Sequence, residues 1–147
     1  MSSSNPKKRA LHFGLSGHPT DPTQSPAIVQ FRVTEGADRA REAGYEVQTT
    51  FSDLDDLESS FERLQAELAT GRWDALIIGG GIRMTPDLTP EFERTVDIAR
   101  RTAPETKILF QASPGDIREV LRRGFEEEEL MLAAKLPFSE QTYHENA

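Results

Sequence analysis

The sequence predicts an α/β fold, a single three-layer α/β/α domain built on a four-stranded parallel sheet. Three observations lead to this prediction. Four apolar runs alternate along the chain with four segments of helical periodicity, as expected when helices connect parallel strands. One of these runs is apolar throughout, which is typical of a strand covered on both faces. A chain of 147 residues is also long enough to bury one core without disulfides or metals.

The four predicted strands run over residues 10–15, 46–51, 75–78 and 107–112. The second alternates polar and apolar residues, which suits an edge strand with one wetter face. The third is apolar throughout and belongs at the centre. Right-handed crossovers around a central third strand predict the sheet order 2-1-3-4, which is the order of flavodoxin-like and other Rossmann-like domains.

Apolar residues at intervals of three and four predict the helices. Three stripes span 57–68, 92–103 and 117–125, and each follows residues that can cap a helix N-terminus: Asp55 or Asp56, Thr89 and Asp116. The first helix is predicted over about 33–43, ending at Gly44 as a left-handed C-cap. Residues 17–30 contain three prolines and are predicted to form a long loop.

The chain is predicted to divide into three parts. Residues 1–7 form a flexible N-terminus, residues 8–125 the Rossmann-like domain, and residues 126–147 an acidic C-terminal tail. The tail contains a short apolar run over 130–134, and two interpretations stay open, a short terminal helix and a disordered segment. The fourth strand is an unprotected edge in this arrangement, and the tail or a second copy of the chain would cover it.

Composition and charge exclude several classes of partner. The formal net charge is −8, and six Glu against one Lys in residues 126–147 contribute most of it. An acidic chain repels phosphate backbones, so we expect no nucleic-acid partner. No segment approaches the roughly 18 apolar residues of a membrane span, so we expect no membrane partner. Cysteine and an apolar leader are absent, and a cytoplasmic location is therefore expected.

The segment from Trp73 to Phe125 contains a series of short motifs: Ile78-Gly79-Gly80-Gly81-Ile82-Arg83, Pro86, Phe92-Glu93, Ala103-Pro104, Phe110-Gln111, Pro114 and Asp116. This series resembles a family of small uncharacterised Rossmann-like or flavodoxin-like proteins. In that family a strand ending in I-G-x-G-x-R precedes an F-E helix, an A-P turn, a strand ending F-N or F-Q, and a P-x-D helix start. Residues 42–47 resemble the family's helix-to-strand turn. The family has no known activity, so the resemblance implies the fold alone.

The most informative local feature is the turn predicted after the third strand, Gly79 to Arg83. Glycine lets backbone N–H groups approach a ligand closely, and arginine supplies a bidentate donor for an anion. Ligands of doubly wound sheets bind outside the carboxyl ends of the strands, at the switch point between strands 1 and 3. The alternative is a plain tight turn in which Arg83 pairs with a carboxylate such as Asp87. Both interpretations stay open.

The first and fourth strands end at the same predicted edge. The Ser16–His18 segment has a faint likeness to the flavin-phosphate loop of flavodoxins, without its full pattern. The segment after the fourth strand begins a helix whose N–H groups could hold an anion, although the carboxylate of Asp116 could cap the same groups. The predicted ligand-binding residues are Ser16, Gly17, Gly79, Gly80, Gly81, Arg83, Gln111 and Ser113.

Residues able to carry acid–base or metal chemistry are few. His12 lies inside the first strand and is predicted to be a packed, hydrogen-bonded core residue. His18 and Asp116 are weak candidates for a catalytic acid or base, and without a spaced partner His18 makes no metal site. The sequence identifies no cofactor. Gly79 stands where a phosphate-accepting receiver domain needs Asp, and the P-loop, dinucleotide and nucleophile-elbow motifs are absent or incomplete.

Three functions remain open on these residues. The leading hypothesis is a domain that binds a small anionic ligand at the carboxyl edge of the sheet. The second is a small enzyme that uses the same pocket. The third is a homodimeric interaction module, built on the exposed edge of strand 4 and the tail, without small-molecule chemistry.

Overall fold

The computed structural model describes residues 7–17, 21 and 23–127. Within these residues, four parallel strands form one sheet in the order β2-β1-β3-β4. The strands are β1 (Arg9–Leu15), β2 (Glu46–Ser52), β3 (Ala75–Ile78) and β4 (Lys107–Phe110). The predicted fold class, the sheet order and the edge position of the second strand are confirmed. The predicted flexible N-terminus, apart from Lys7, and the tail beyond Glu127 lie outside the described residues.

The described residues contain five α-helices: α1 (Pro26–Glu42), α2 (Leu57–Thr70), α3 (Gly80–Met84), α4 (Thr89–Thr102) and α5 (Ile117–Leu121). Short 3-10 turns, Leu54–Asp56 and Pro86–Leu88, precede α2 and α4, and a π-helical segment, Arg122–Glu127, continues α5. The Asp56 carboxylate accepts from the backbone N–H of Ser59 at the start of α2, which confirms one of the two caps predicted there.

The first helix begins well before its predicted start. Ser25 is its N-cap, with Oγ accepting from the Ile28 N–H, and Pro26 is its first residue. Proline is favoured at this position because the missing N–H has no helical partner there. The predicted loop over 17–30 is therefore wrong in its second half. Gly44 does adopt a left-handed φ of 102°, although Ala43 is the C-cap.

Two layers of helices cover the sheet. In one buried cluster, residues of α1 and α5 pack with Ala75 and Ile77 of β3. In the other, residues of α2 and α4 pack with Leu76 and Ile78. All four β3 side chains are fully buried, as predicted for the central strand. Successive strand residues point to opposite faces, so the chain forms three layers.

The sheet register brings three loop regions together at the carboxyl edge. Phe13 of β1 pairs with Ile78 of β3, which pairs with Phe110 of β4. The strands therefore end nearly level with one another. Strand β4 stops earlier than the predicted residue 112. The Gln111 N–H still donates to the Ile78 carbonyl of β3, but the N–H groups of Ala112 and Ser113 donate to the Asp116 carboxylate. In the part of the chain that is described, no helix combines the length and apolar character needed to cross a membrane.

Candidate functional site

A cleft of about 600 Å³ opens at the carboxyl edge of the sheet. Its walls come from the end of β1, the first half of α1, α3, the turn before α4 and the loop between β4 and α5. Six predicted ligand residues line it, namely Gly17, Gly79, Gly80, Gly81, Gln111 and Ser113. Ser16 and Arg83 lie nearby without lining it, and Asp116 lies behind the wall. His18 lies outside the described residues.

The three glycines after β3 begin a helix instead of forming the predicted loop. Gly79 is the N-cap of α3 and Gly80 is its first residue. A Cβ atom on Gly79 would lie 3.0 Å from the Cα of Gly14 in β1, and one on Gly81 would lie 2.9 Å from Leu15 Cδ1. Close packing between the ends of β1 and β3 therefore requires small residues here. The same packing leaves this part of the cleft without side chains.

Arg83 lies beside the cleft without lining it. Its Nη2 donates to the backbone carbonyl of Gln111 at 2.9 Å, and its guanidinium lies 5.4 Å from the centre of the Phe110 ring. Among the described residues it forms no ion pair with Asp87. Its Nε is buried without a hydrogen-bond partner. The side chain thus connects α3 to the end of β4, beside the cleft.

Gln111 and Asp116 hold the loop between β4 and α5 in place. The buried Gln111 amide donates from Nε2 to the carbonyls of Ser113 and Pro114, at 3.0 and 3.2 Å, and to Asp116 Oδ1 at 3.1 Å. Asp116 Oδ2 accepts from the N–H groups of Ala112 and Ser113. Asp116 is the N-cap residue of α5, as predicted, but its side chain makes no hydrogen bond to the helix. Its carboxylate caps the preceding loop instead.

The same amide determines the tautomer of His12. His12 is 1% exposed, and its Nε2 lies 2.5 Å from Gln111 Oε1, which confirms the predicted packed and hydrogen-bonded residue. Because Gln111 Nε2 faces three acceptors, Oε1 must face the imidazole, and His12 Nε2 carries the proton. Nδ1 is then an unprotonated nitrogen, buried and without a partner in the structure as described. Burial lowers the pKa of His12 to about 4, so the ring lining the cleft is neutral at pH 7.

Arg32 is the cation of the cleft, and the sequence did not single it out. This half-buried α1 residue donates from Nη2 to Ser113 Oγ at 3.0 Å. Among the described residues, no carboxylate lies within 4 Å of its guanidinium. The sequence does contain a signal for the helix that carries Arg32, namely Ser25-Pro26, an N-cap followed by proline. This pair precedes a stripe of residues that α1 buries: Val29, Val33, Ala37 and Ala40.

Two carboxylates also line the cleft. Asp21 Oδ1 accepts from the N–H and Oγ1 of Thr23. Asp87 is exposed in the turn before α4, and no cation of the described chain lies within ion-pair distance of it. Arg32 also borders a smaller recess of about 320 Å³ between α1 and α5, and the charged residues that line this recess are three arginines and three carboxylates: Arg32, Arg39, Arg118, Glu35, Asp116 and Glu119.

The described side chains contain no group of three His, Asp or Glu placed to hold a metal ion. The cleft offers one arginine fork, hydroxyl and backbone donors, and the two carboxylates of Asp21 and Asp87. The arginine fork and the donors are suited to binding an anionic group. Neither a family model nor any curated protein matches the chain. The resemblance to the family of small Rossmann-like proteins therefore stays a prediction from the motifs.

Proposed function

We propose that this protein binds a small organic anion in the cleft at the carboxyl edge of its sheet, with Arg32 holding the negative charge. The observation that carries the proposal is the Arg32 guanidinium, which lines the cleft without a carboxylate partner among the described residues. A guanidinium that keeps donors free can bind carboxylate or phosphate oxygens in bidentate fashion.

The position and size of the cleft support the proposal. It lies between the ends of β1 and β3, where the chain direction across the sheet reverses, and ligands of open α/β sheets bind at this switch point. A volume of about 600 Å³ lies within the roughly 300–1,000 Å³ typical of small-molecule sites. Apolar side chains such as Val29, Val33 and Met84 line part of it. These would contact an uncharged body attached to the anionic group.

Arg32 replaces Arg83 as the main anion ligand in this proposal. The Arg83 side chain is already bound to the Gln111 carbonyl and packed on Phe110. Moving it into the cleft would break both contacts. A direct role of Arg83 in binding stays a prediction from the sequence, and the following experiment separates the two arginines.

The test is a thermal-shift and NMR titration with small carboxylates, sugar phosphates and nucleoside monophosphates. A ligand at 100 times its dissociation constant should stabilise the fold by about 2.7 kcal/mol, which raises Tm by several degrees. Arg32→Ala should weaken binding by about tenfold or more, since a hydrogen bond to a charged group contributes roughly 1.5–3 kcal/mol. Arg32→Lys should retain part of the affinity, because it keeps the charge without the fork.

Arg101→Ala is the matched control, because this exposed α4 residue pairs with Asp97 and does not line the cleft. It should leave binding unchanged. Arg83→Ala should lower stability and leave affinity within about twofold. Unchanged binding in Arg32→Ala would contradict the proposal, and loss of binding in Arg83→Ala alone would return the site to the residue predicted from the sequence.

The other two functions stay predictions. A catalytic role for Asp116 is disfavoured because both of its carboxylate oxygens accept hydrogen bonds from the β4–α5 loop. Turnover that survives His18→Ala and Asp116→Asn would exclude the predicted acid and base.

Light scattering would test for a homodimer across the β4 edge. Cell fractionation would test the predicted cytoplasmic location. Arg123 donates to the Phe110 carbonyl at 3.1 Å, so this edge is partly covered within one chain.

A further inference from the structure

Asp87 is a carboxylate of the cleft for which the fold supplies no partner among the described residues. It belongs to the turn Pro86–Leu88, lines the cleft and is exposed. Arg83, which one of the two interpretations of the sequence pairs with Asp87, is bound to the Gln111 carbonyl instead. Asp87 therefore presents its negative charge to the cleft and to solvent.

Arg32 and Asp87 belong to different walls. Arg32 comes from α1 and is attached to Ser113 of the β4–α5 loop, whereas Asp87 comes from the turn that joins α3 to α4. The two form no ion pair with each other. The glycines after β3 and the neutral ring of His12 also line the cleft and carry no charge. The described cleft thus presents one unpaired cation and one unpaired anion.

We propose that the ligand is a small zwitterion, with a carboxylate or phosphate on Arg32 and an ammonium group beside Asp87. This inference rests on the proposed function, since it assumes the anion site at Arg32. A ligand with only negative charges would satisfy Arg32 but would share the cleft with the carboxylates of Asp87 and Asp21. Like charges repel, so polyphosphates and dicarboxylates should bind less well than ligands with an amine.

Matched pairs of probes that differ only in the amine test this inference. The pairs are 4-aminobutyrate with butyrate, 5-aminopentanoate with pentanoate, 6-aminohexanoate with hexanoate, and phosphorylethanolamine with ethyl phosphate. Their affinities are measured by ¹H–¹⁵N NMR titration at low ionic strength, where charge interactions are least screened. The pair whose length fits the cleft should favour the amine by about two- to fivefold, the range of a solvent-exposed ion pair.

Asp87→Asn removes the charge and keeps the shape, and it should abolish the preference for the amine. Asp87 is exposed, so the variant is expected to fold. Asp55→Asn is the matched control, because Asp55 is equally exposed, lies in the turn before α2 and does not line the cleft. It should retain the full preference. Arg32→Ala should weaken both members of each pair.

The outcomes separate this inference from the proposed function. Arg32-dependent binding with no preference for the amine, or a preference that survives Asp87→Asn, would overturn the zwitterion and leave the anion site standing. Binding that ignores Arg32→Ala would overturn the anion site, and absence of binding by every probe would overturn both. An amine preference that Asp87→Asn abolishes and Asp55→Asn retains would support the inference.

Discussion

Lowering the pH from about 7.5 to about 5 should destabilise the folded protein because His12 is buried as a neutral ring. Its pKa falls from an ordinary 6.5 to about 4. Burial causes the decrease, and the hydrogen bond to Gln111 and the charge of Asp116 oppose it only in part. Between pH 6.5 and pH 4 the unfolded chain therefore binds a proton that the folded chain does not.

The sign and the size follow from this difference. A folded-state pKa below the unfolded value contributes stability that is complete above about pH 6.5 and is lost as the pH falls toward 4. Each pKa unit corresponds to about 1.4 kcal/mol, so the whole shift amounts to about 3 kcal/mol, of which about 2 kcal/mol is lost by pH 5. This is a large part of the roughly 5–15 kcal/mol that stabilises a typical domain.

Urea denaturation at several pH values, with the wild type beside His12→Gln, measures the effect. The variant keeps an amide that can donate to Gln111 Oε1 but does not titrate, so the pH dependence between 7.5 and 5 should be about 2 kcal/mol smaller. The pKa values of Asp56 and Glu58 are lowered by hydrogen bonds to Ser59 and Arg94, respectively. Their contribution to the stability of the fold is therefore lost only at more acidic pH. NMR of the His12 ring should show no titration above about pH 5.

A His12 ring that titrates near pH 6.5, or a His12→Gln variant with the same pH dependence as the wild type, would refute this reasoning. Either result would mean that the imidazole reaches solvent or accepts a proton at Nδ1 without penalty.

Two further substitutions test the packing under the cleft. Gln111→Met should lower the free energy of unfolding by about 2–3 kcal/mol, because it leaves the His12 Nε2–H buried without an acceptor; a loss below 0.5 kcal/mol in urea would show that water replaces the amide. Gly79→Ala should cost about 1–3 kcal/mol, since its Cβ would lie 3.0 Å from backbone Cα of Gly14. Gly115→Ala, whose Cβ would approach no atom closer than 3.5 Å, is the control and should unfold at nearly the wild-type temperature.

The sheet was predictable because its signals are local. The apolar run over 75–78 specifies a strand covered on both faces, and the sheet order follows from chain handedness once the central strand is known. The start of α1 was missed for a compositional reason. Several prolines before residue 30 predict a loop, yet Pro26 occupies the first helical position, where it favours a helix.

The candidate site was less predictable because it depends on side-chain direction. Arg32 lay between the loop predicted to end at residue 30 and the helix predicted to begin at about residue 33, so its place on the cleft-facing side of α1 could not be derived. Arg83 was assigned to a loop that could fold around a ligand, but it lies within α3. Helical geometry and the Gln111 carbonyl direct its side chain toward β4. The hydrogen bonds of Asp116 depend on a loop conformation that sequence periodicity does not report.

The β4–α5 loop has a consequence for the kinetics of binding. Two side chains, Gln111 and Asp116, form four hydrogen bonds with its backbone, and a fifth joins the two side chains to each other. The wall that carries Ser113 is therefore preorganised, and a ligand would lose little conformational entropy in meeting it. Amide hydrogen exchange at Ala112 and Ser113 should be slow before any ligand arrives. Association should then proceed without a loop-ordering step, and differences in affinity among ligands should appear mainly as differences in residence time.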